Sequence, residues 1–177
     1  MLSTNEQVKM QEIETRLLSL RDSLNHQIIP TLEDTKSWFS VLNKIKTIQG
    51  NFNNDVGFVA TILAKNYLAR KYGFSGFDAS EKPQGAPGID IDVILPDGTR
   101  LVAEIKTTSP YKGSDLGANQ KSTFEADFLK LQNADARIKL FLVTESATYE
   151  IMKKSKYRNL LRNVEVVLLT TEESFIA

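Results

Sequence analysis

The sequence predicts an α/β fold: a mixed central sheet flanked by helices, preceded by an N-terminal helical extension. Three observations carry this. Apolar residues recur at three- and four-residue steps from Val8 to about Tyr72, strand-like alternation begins at Ile89, and helical and strand patterns then take turns to the end. With 177 residues, 41% of them hydrophobic and 25% charged, the chain has ordinary globular usage and is long enough for one core plus a modest extension.

Met10, Ile13, Leu17, Leu20 and Leu24 set the period of a first helix, which Pro30 ends. A second helical stretch, Leu32 to Ile48, carries Trp38, Leu42 and Ile45 and closes in the polar run Gly50-Asn51-Phe52-Asn53-Asn54. Residues 1–50 therefore read as an extension for packing or dimerisation, and 51–177 as the core. Asp55 is placed to cap a third helix running to Tyr72, with Val59, Ile62, Leu63 and Leu68 on a broad apolar face. A Gly-, Pro- and Ser-rich loop leads to a strand over Ile89–Ile94 and, across Pro96-Asp97-Gly98, to a second over Arg100–Thr108. A helix around Gln120–Asn133, a strand over Ile138–Val143 buried on both faces, a helix over Ser146–Leu161 and a last strand over Val164–Leu169 complete the order.

Composition removes whole classes of chemistry. The chain has no cysteine, so disulfides, thiolate metal sites and cysteine nucleophiles are excluded. His26 is the only histidine and lies in a polar helical stretch, which argues against an imidazole-based triad or a histidine-rich zinc site. Lys plus Arg and Asp plus Glu each number 22, so any attraction to nucleic acid must come from a local patch. No basic leader and no apolar run of membrane-spanning length is present, and a cytoplasmic protein with no membrane contact is expected.

Hairpin register decides which side chains share a face. Pro96 suits the second position of a type I turn and Gly98 the left-handed position after it, which makes a three-residue loop and pairs Leu95 with Thr99. Counting back sets Asp90 across from Glu104 and Asp92 across from Val102, with Asp90, Asp92, Glu104 and Lys106 on one face beside Ile94 and Val102. Three carboxylates in a half-buried cleft repel one another more than one lysine can offset. A divalent cation would resolve the conflict, and hard oxygen ligands suit Mg²⁺, with Mn²⁺ as substitute.

Gly88-Ile89-Asp90-Ile91-Asp92-Val93 followed by Glu104-Ile105-Lys106 resembles the PD-(D/E)XK nuclease superfamily, over about Asn54 to Leu169. The resemblance implies a restriction-endonuclease-like core and a Mg²⁺-dependent DNA endonuclease of restriction or repair type. It implies Asp90 and Glu104 as metal ligands, with Asp92 competing for Asp90's role and the Ile105 carbonyl as a further ligand. Lys106 would steady the attacking water. Two departures stand out: Ile89 rather than a proline precedes the acid, and Phe58–Tyr67 contains no glutamate, leaving Thr61 in the aligned position and Asp55 as a distant substitute.

DNA contacts are expected from Gln84 in the Glu81–Gly85 loop, from Thr107 and Lys112 after the Glu-x-Lys, and from Gln120 and Lys121 at a helix start. Lys154, Arg158 and Arg162 recur every four residues as a basic stripe. Cutting both strands calls for a homodimer, which the N-terminal helices could join. The competing expectation is a nuclease-like fold that no longer cuts and serves as a DNA-binding or assembly module.

Overall fold

The computed structural model describes residues 1–177 except Ser75, Pro83, Gln84 and Lys112. It divides into two compact units, Met1–Asp55 and Val56–Ala177.

The first unit holds α1 (Thr4–Asn25), α2 (Thr35–Gln49) and the start of α3 (Phe52–Tyr72). The Ser3 hydroxyl accepts the Glu6 N–H while the Glu6 carboxylate accepts the Ser3 N–H, a reciprocal box that starts α1 earlier than the apolar period suggests. Asp34 caps α2 through the Ser37 N–H at 3.0 Å. Asp55 does not cap α3. Asn51 does that work, accepting the Asn54 and Asp55 amides, and Asp55 instead pairs with Arg16 at 2.6 Å. Asp55 is thereby also removed as a substitute for the missing helix glutamate.

The second unit is built on a five-stranded sheet in the order β1-β2-β3-β4-β5. Its strands are β1 (Ile91–Ile94), β2 (Arg100–Lys106), β3 (Ile138–Val143), β4 (Glu165–Leu168) and β5 (Glu173–Ile176). β2, β3 and β4 run parallel, joined through α4 (Ala118–Asn133) and then α5 (Ser146–Met152) and α6 (Ser155–Arg158), while both edge strands are antiparallel. This is the mixed sheet flanked by helices that the alternating patterns predict.

Alternation along the parallel strands splits the core into two layers. Leu101, Ala103, Leu140, Leu142 and Val167 face Ala64, Tyr67 and Leu68 of α3. Val102, Phe141, Val143, Val166 and Leu168 face Phe124, Phe128 and Leu131 of α4 and the residues of α5 and α6. Phe141 meets Phe124 and Phe128 edge-on at 5.7 and 5.0 Å between ring centroids, which fixes α4 against β3.

Two elements depart from expectation. The expected helix over Ser146–Leu161 breaks at Lys154, whose backbone is extended. In an unbroken helix Tyr157 would lie about 140° around from Met152, at roughly 100° per residue, and could not share its buried face. The break brings Tyr157 and Leu161 back into the core, where both are fully buried. β5 has no counterpart in the sequence reading. Its turn uses Glu172 in the left-handed region in place of Gly or Asn, and Phe175 packs against Tyr149 at 5.4 Å.

Candidate active site

The hairpin has the expected register. Asp92 pairs with Val102, Leu95 donates its N–H to the Thr99 carbonyl at 2.9 Å, and Gly98 takes φ +82° in the three-residue loop. Below β2 toward α4 lie Val102, Glu104 and Lys106; toward α3 lie Leu101, Ala103 and Ile105.

Ladder pairing begins at Ile91, one residue after Asp90. Asp90 continues it by side chain: its Oδ2 accepts the Ile105 N–H at 2.8 Å. The Ile105 carbonyl points to the same edge as its N–H, beyond the end of β1. Asp90 also reaches Glu104. Burial, then the charges of Asp90 and Asp127 and a hydrogen bond with Asp90, push the Glu104 carboxyl up to about 8, while Lys130 acts the other way. Glu104 is only 1% exposed, and its Oε1 is buried without a hydrogen-bond partner among the described residues; Lys130 Nζ lies 3.3 Å away.

The third carboxylate of the cluster is Asp127, not Asp92. Asp92 is held by Arg100 in a two-pronged ion pair at 2.9 and 2.7 Å, which lowers its pKa and turns it to the exposed end of the hairpin. Ile94 is likewise exposed, so only Val102 supplies the expected apolar flank. Asp127 is 4% exposed and pairs with Lys106 and, at 2.7 Å, with Lys130, whose pKa it raises. The sequence carried a signal for it: Asp127 sits three residues after Phe124 and four before Leu131, a carboxylate on an apolar helix stripe.

Beside Asp90 a cavity of about 90 Å³ is lined by Gly57 and Thr61 of α3, Asp78, Lys82, Ile105 and Thr107, among others. Thr61 donates to the Gly57 carbonyl at 2.9 Å, and Lys82 donates to the Ile89 carbonyl. Thr107, one of the residues expected to contact DNA, lines this cavity.

The other expected contacts are engaged within the chain. Gln120 accepts the Tyr111 and Gly117 amides, each at 3.0 Å, and donates to the Ser109 carbonyl at 2.8 Å, so it anchors the loop before α4. Lys121 lies 3.7 Å from Glu125. The basic stripe is interrupted by the helix break: Lys154 donates to the Ser114 carbonyl, and Arg158 donates to the Ile176 carbonyl at 3.0 Å while covering the Phe175 ring. Gln84 and Lys112 lie outside the described residues.

Among the described residues, no group of three or more histidine, cysteine, aspartate and glutamate side chains is arranged to hold a metal ion. Of the expected ligands, Asp90 and Glu104 lie together, while Asp92, the competitor for Asp90's role, is held by Arg100. The Asp90–Glu104 pair would still suit a hard cation, because Glu104 is buried and the charges of Asp90 and Asp127 push its carboxyl up, a conflict that a proton or a metal relieves. No helix among the described residues is long and apolar enough to cross a membrane. No family model, curated protein or solved structure gives a significant match to this chain.

Proposed function

We propose that this chain is a Mg²⁺-dependent DNA endonuclease of the restriction or repair kind, with a core of the PD-(D/E)XK type. The observation that carries the reading is the juxtaposition of Asp90 and Glu104 at the end of the hairpin: a buried carboxyl raised to about 8 by its burial and by the charge of a second acid, which itself takes the Ile105 N–H and lines a polar cavity. Buried acid pairs of this kind are costly in a purely structural role, and perturbed carboxyls in clefts concentrate at functional sites.

In this reading Asp90 and Glu104 hold the cation, with the Ile105 carbonyl at the same edge. A bound Mg²⁺ would lower the pKa of a water and offset charge on the phosphate. Asp90 takes its orientation from the Ile105 N–H. Lys106 donates to the attacking water and stabilises negative charge beside it. Lys82 and Thr107 line the cavity with ammonium and hydroxyl donors for the phosphodiester backbone. A homodimer joined through α1 and α2 completes the proposal, since both helices leave Leu17, Leu24, Phe39 and Leu42 exposed and a double-strand cut takes two sites.

A second reading, a nuclease-like DNA-binding module without cutting activity, is favoured by one observation. Lys106 is paired with Asp127 and Glu104 with Lys130, so with one proton on Glu104 the three carboxyls and two ammoniums balance without any ion. Incubation with plasmid and linear DNA in Mg²⁺ or Mn²⁺ separates the two. Cleavage abolished by Glu104→Ala supports the enzyme. DNA binding with no cleavage, indifferent to metal and to Asp90→Asn, supports the module.

A further inference from the structure

We propose that Asp127 is the positioning residue for Lys106, an inference that rests on the nuclease reading above. Lys106 ends the second strand of the hairpin, and its side chain crosses to α4, lying over the Phe124 ring at 5.5 Å and ending on the Asp127 carboxylate. Both partners are largely buried. Asp127 in turn is held by a rigid neighbour: the flanking Phe124 and Phe128 lock edge-on against Phe141.

A single carboxylate therefore gathers two ammoniums, Lys106 on one oxygen and Lys130 on the other, and Lys130 extends to Glu104 Oε1. Lys106, Asp127, Lys130 and Glu104 thus form one chain of polar contacts. Without the Asp127 charge the largely buried Lys106 ammonium would lose its counter-charge and face a second ammonium, and Lys106 would withdraw from the reacting phosphate. Asp127 touches neither metal nor DNA in this scheme. It acts by fixing where the Lys106 ammonium stands.

Two measurements on the full chain test this. In ¹H–¹⁵N spectra of side-chain ammoniums, wild-type Lys106 gives a resolved signal, because a shielded ion pair slows proton exchange; Asp127→Asn removes it and Asp127→Glu restores a shifted one. In cleavage assays with Mg²⁺ and duplex DNA, Asp127→Asn lowers kcat about 100-fold, the scale set by displacing a reacting group by roughly 1 Å, with KM changed less than about 2-fold and about 10-fold of the rate recovered in Asp127→Glu. A Lys106 signal unaltered by Asp127→Asn, or a loss confined to KM, overturns the assignment. Should Asp127→Asn fail to fold, an unshifted Lys106 signal in Asp127→Glu overturns it equally. A wild-type chain that cuts no DNA defeats the nuclease reading, and the ammonium signal then still decides whether Asp127 fixes Lys106.

Discussion

The Asp90 carboxylate accepts the Ile105 N–H at 2.8 Å, taking by side chain the hydrogen bond that the backbone of β1 does not yet supply. An acid that finishes a β-ladder is held in place before any ligand arrives. Its orientation costs little further entropy when a cation is captured.

Asp90→Ala removes this acceptor and is expected to lower stability by about 1–2 kcal/mol, measured by urea denaturation without metal. Asp90→Asn, which keeps an oxygen, costs less. Both variants abolish Mn²⁺ binding in calorimetry; retention of tight binding by either one contradicts the assigned ligand.

Glu104 sets a pH dependence of defined sign. Its carboxyl is raised from the usual 4.5 to about 8, so the folded chain keeps a proton that the unfolded chain releases. Metal-free stability is therefore full below pH 4.5 and declines as pH rises toward about 8, by an amount on the order of a few kcal/mol. Glu104→Gln flattens that decline, which denaturation at a series of pH values reads directly.

In the proposed site a divalent cation would replace the proton, and so would act most strongly where Glu104 is ionised. Mn²⁺ at about 100 times its Kd is expected to add about 2.7 kcal/mol of stability to the wild type. The gain grows between pH 6 and pH 9 in thermal melts and is absent in Glu104→Gln. An equal gain in that variant places the ion elsewhere.

Asp92→Asn separates the two hairpin acids. It breaks an exposed pair with Arg100 and is expected to cost about 0.2–1 kcal/mol while leaving Mn²⁺ affinity and cleavage unchanged. A large fall in metal affinity would reinstate Asp92 as a ligand.

Gln120→Ala releases three hydrogen bonds that tie residues 109–117 to the start of α4. Limited proteolysis should then cut that loop faster than in the wild type, with global stability reduced by about 1–2 kcal/mol.

The hairpin was legible in the sequence because turn chemistry sets register: Pro96 and Gly98 favour the three-residue loop, and from that loop the pairing of Asp92 with Val102 follows by counting. Ligand choice was less legible. Arg100 captures Asp92 from the facing strand, and its reach depends on rotamers that spacing does not encode. Asp127 was visible only as a carboxylate on the wrong stripe of its helix, and its pairing with Lys106 needed the tertiary packing of α4 on β2. The continuous helix under the basic stripe was misread for a different reason: burial of Tyr157 outweighed helical continuity, and the break carried Lys154 and Arg158 to backbone carbonyls. β5 escaped notice because a left-handed glutamate is a poor marker of a turn.

The sheet ends on both sides in strands of four residues that run against their parallel neighbours. A foreign chain seeking to extend the sheet finds only a brief row of open amides and carbonyls, with Asp92 and Arg100 at one border and Glu173 at the other. Fibrillar growth by strand addition is thereby discouraged, even though the interior strands are among the most apolar stretches of the chain.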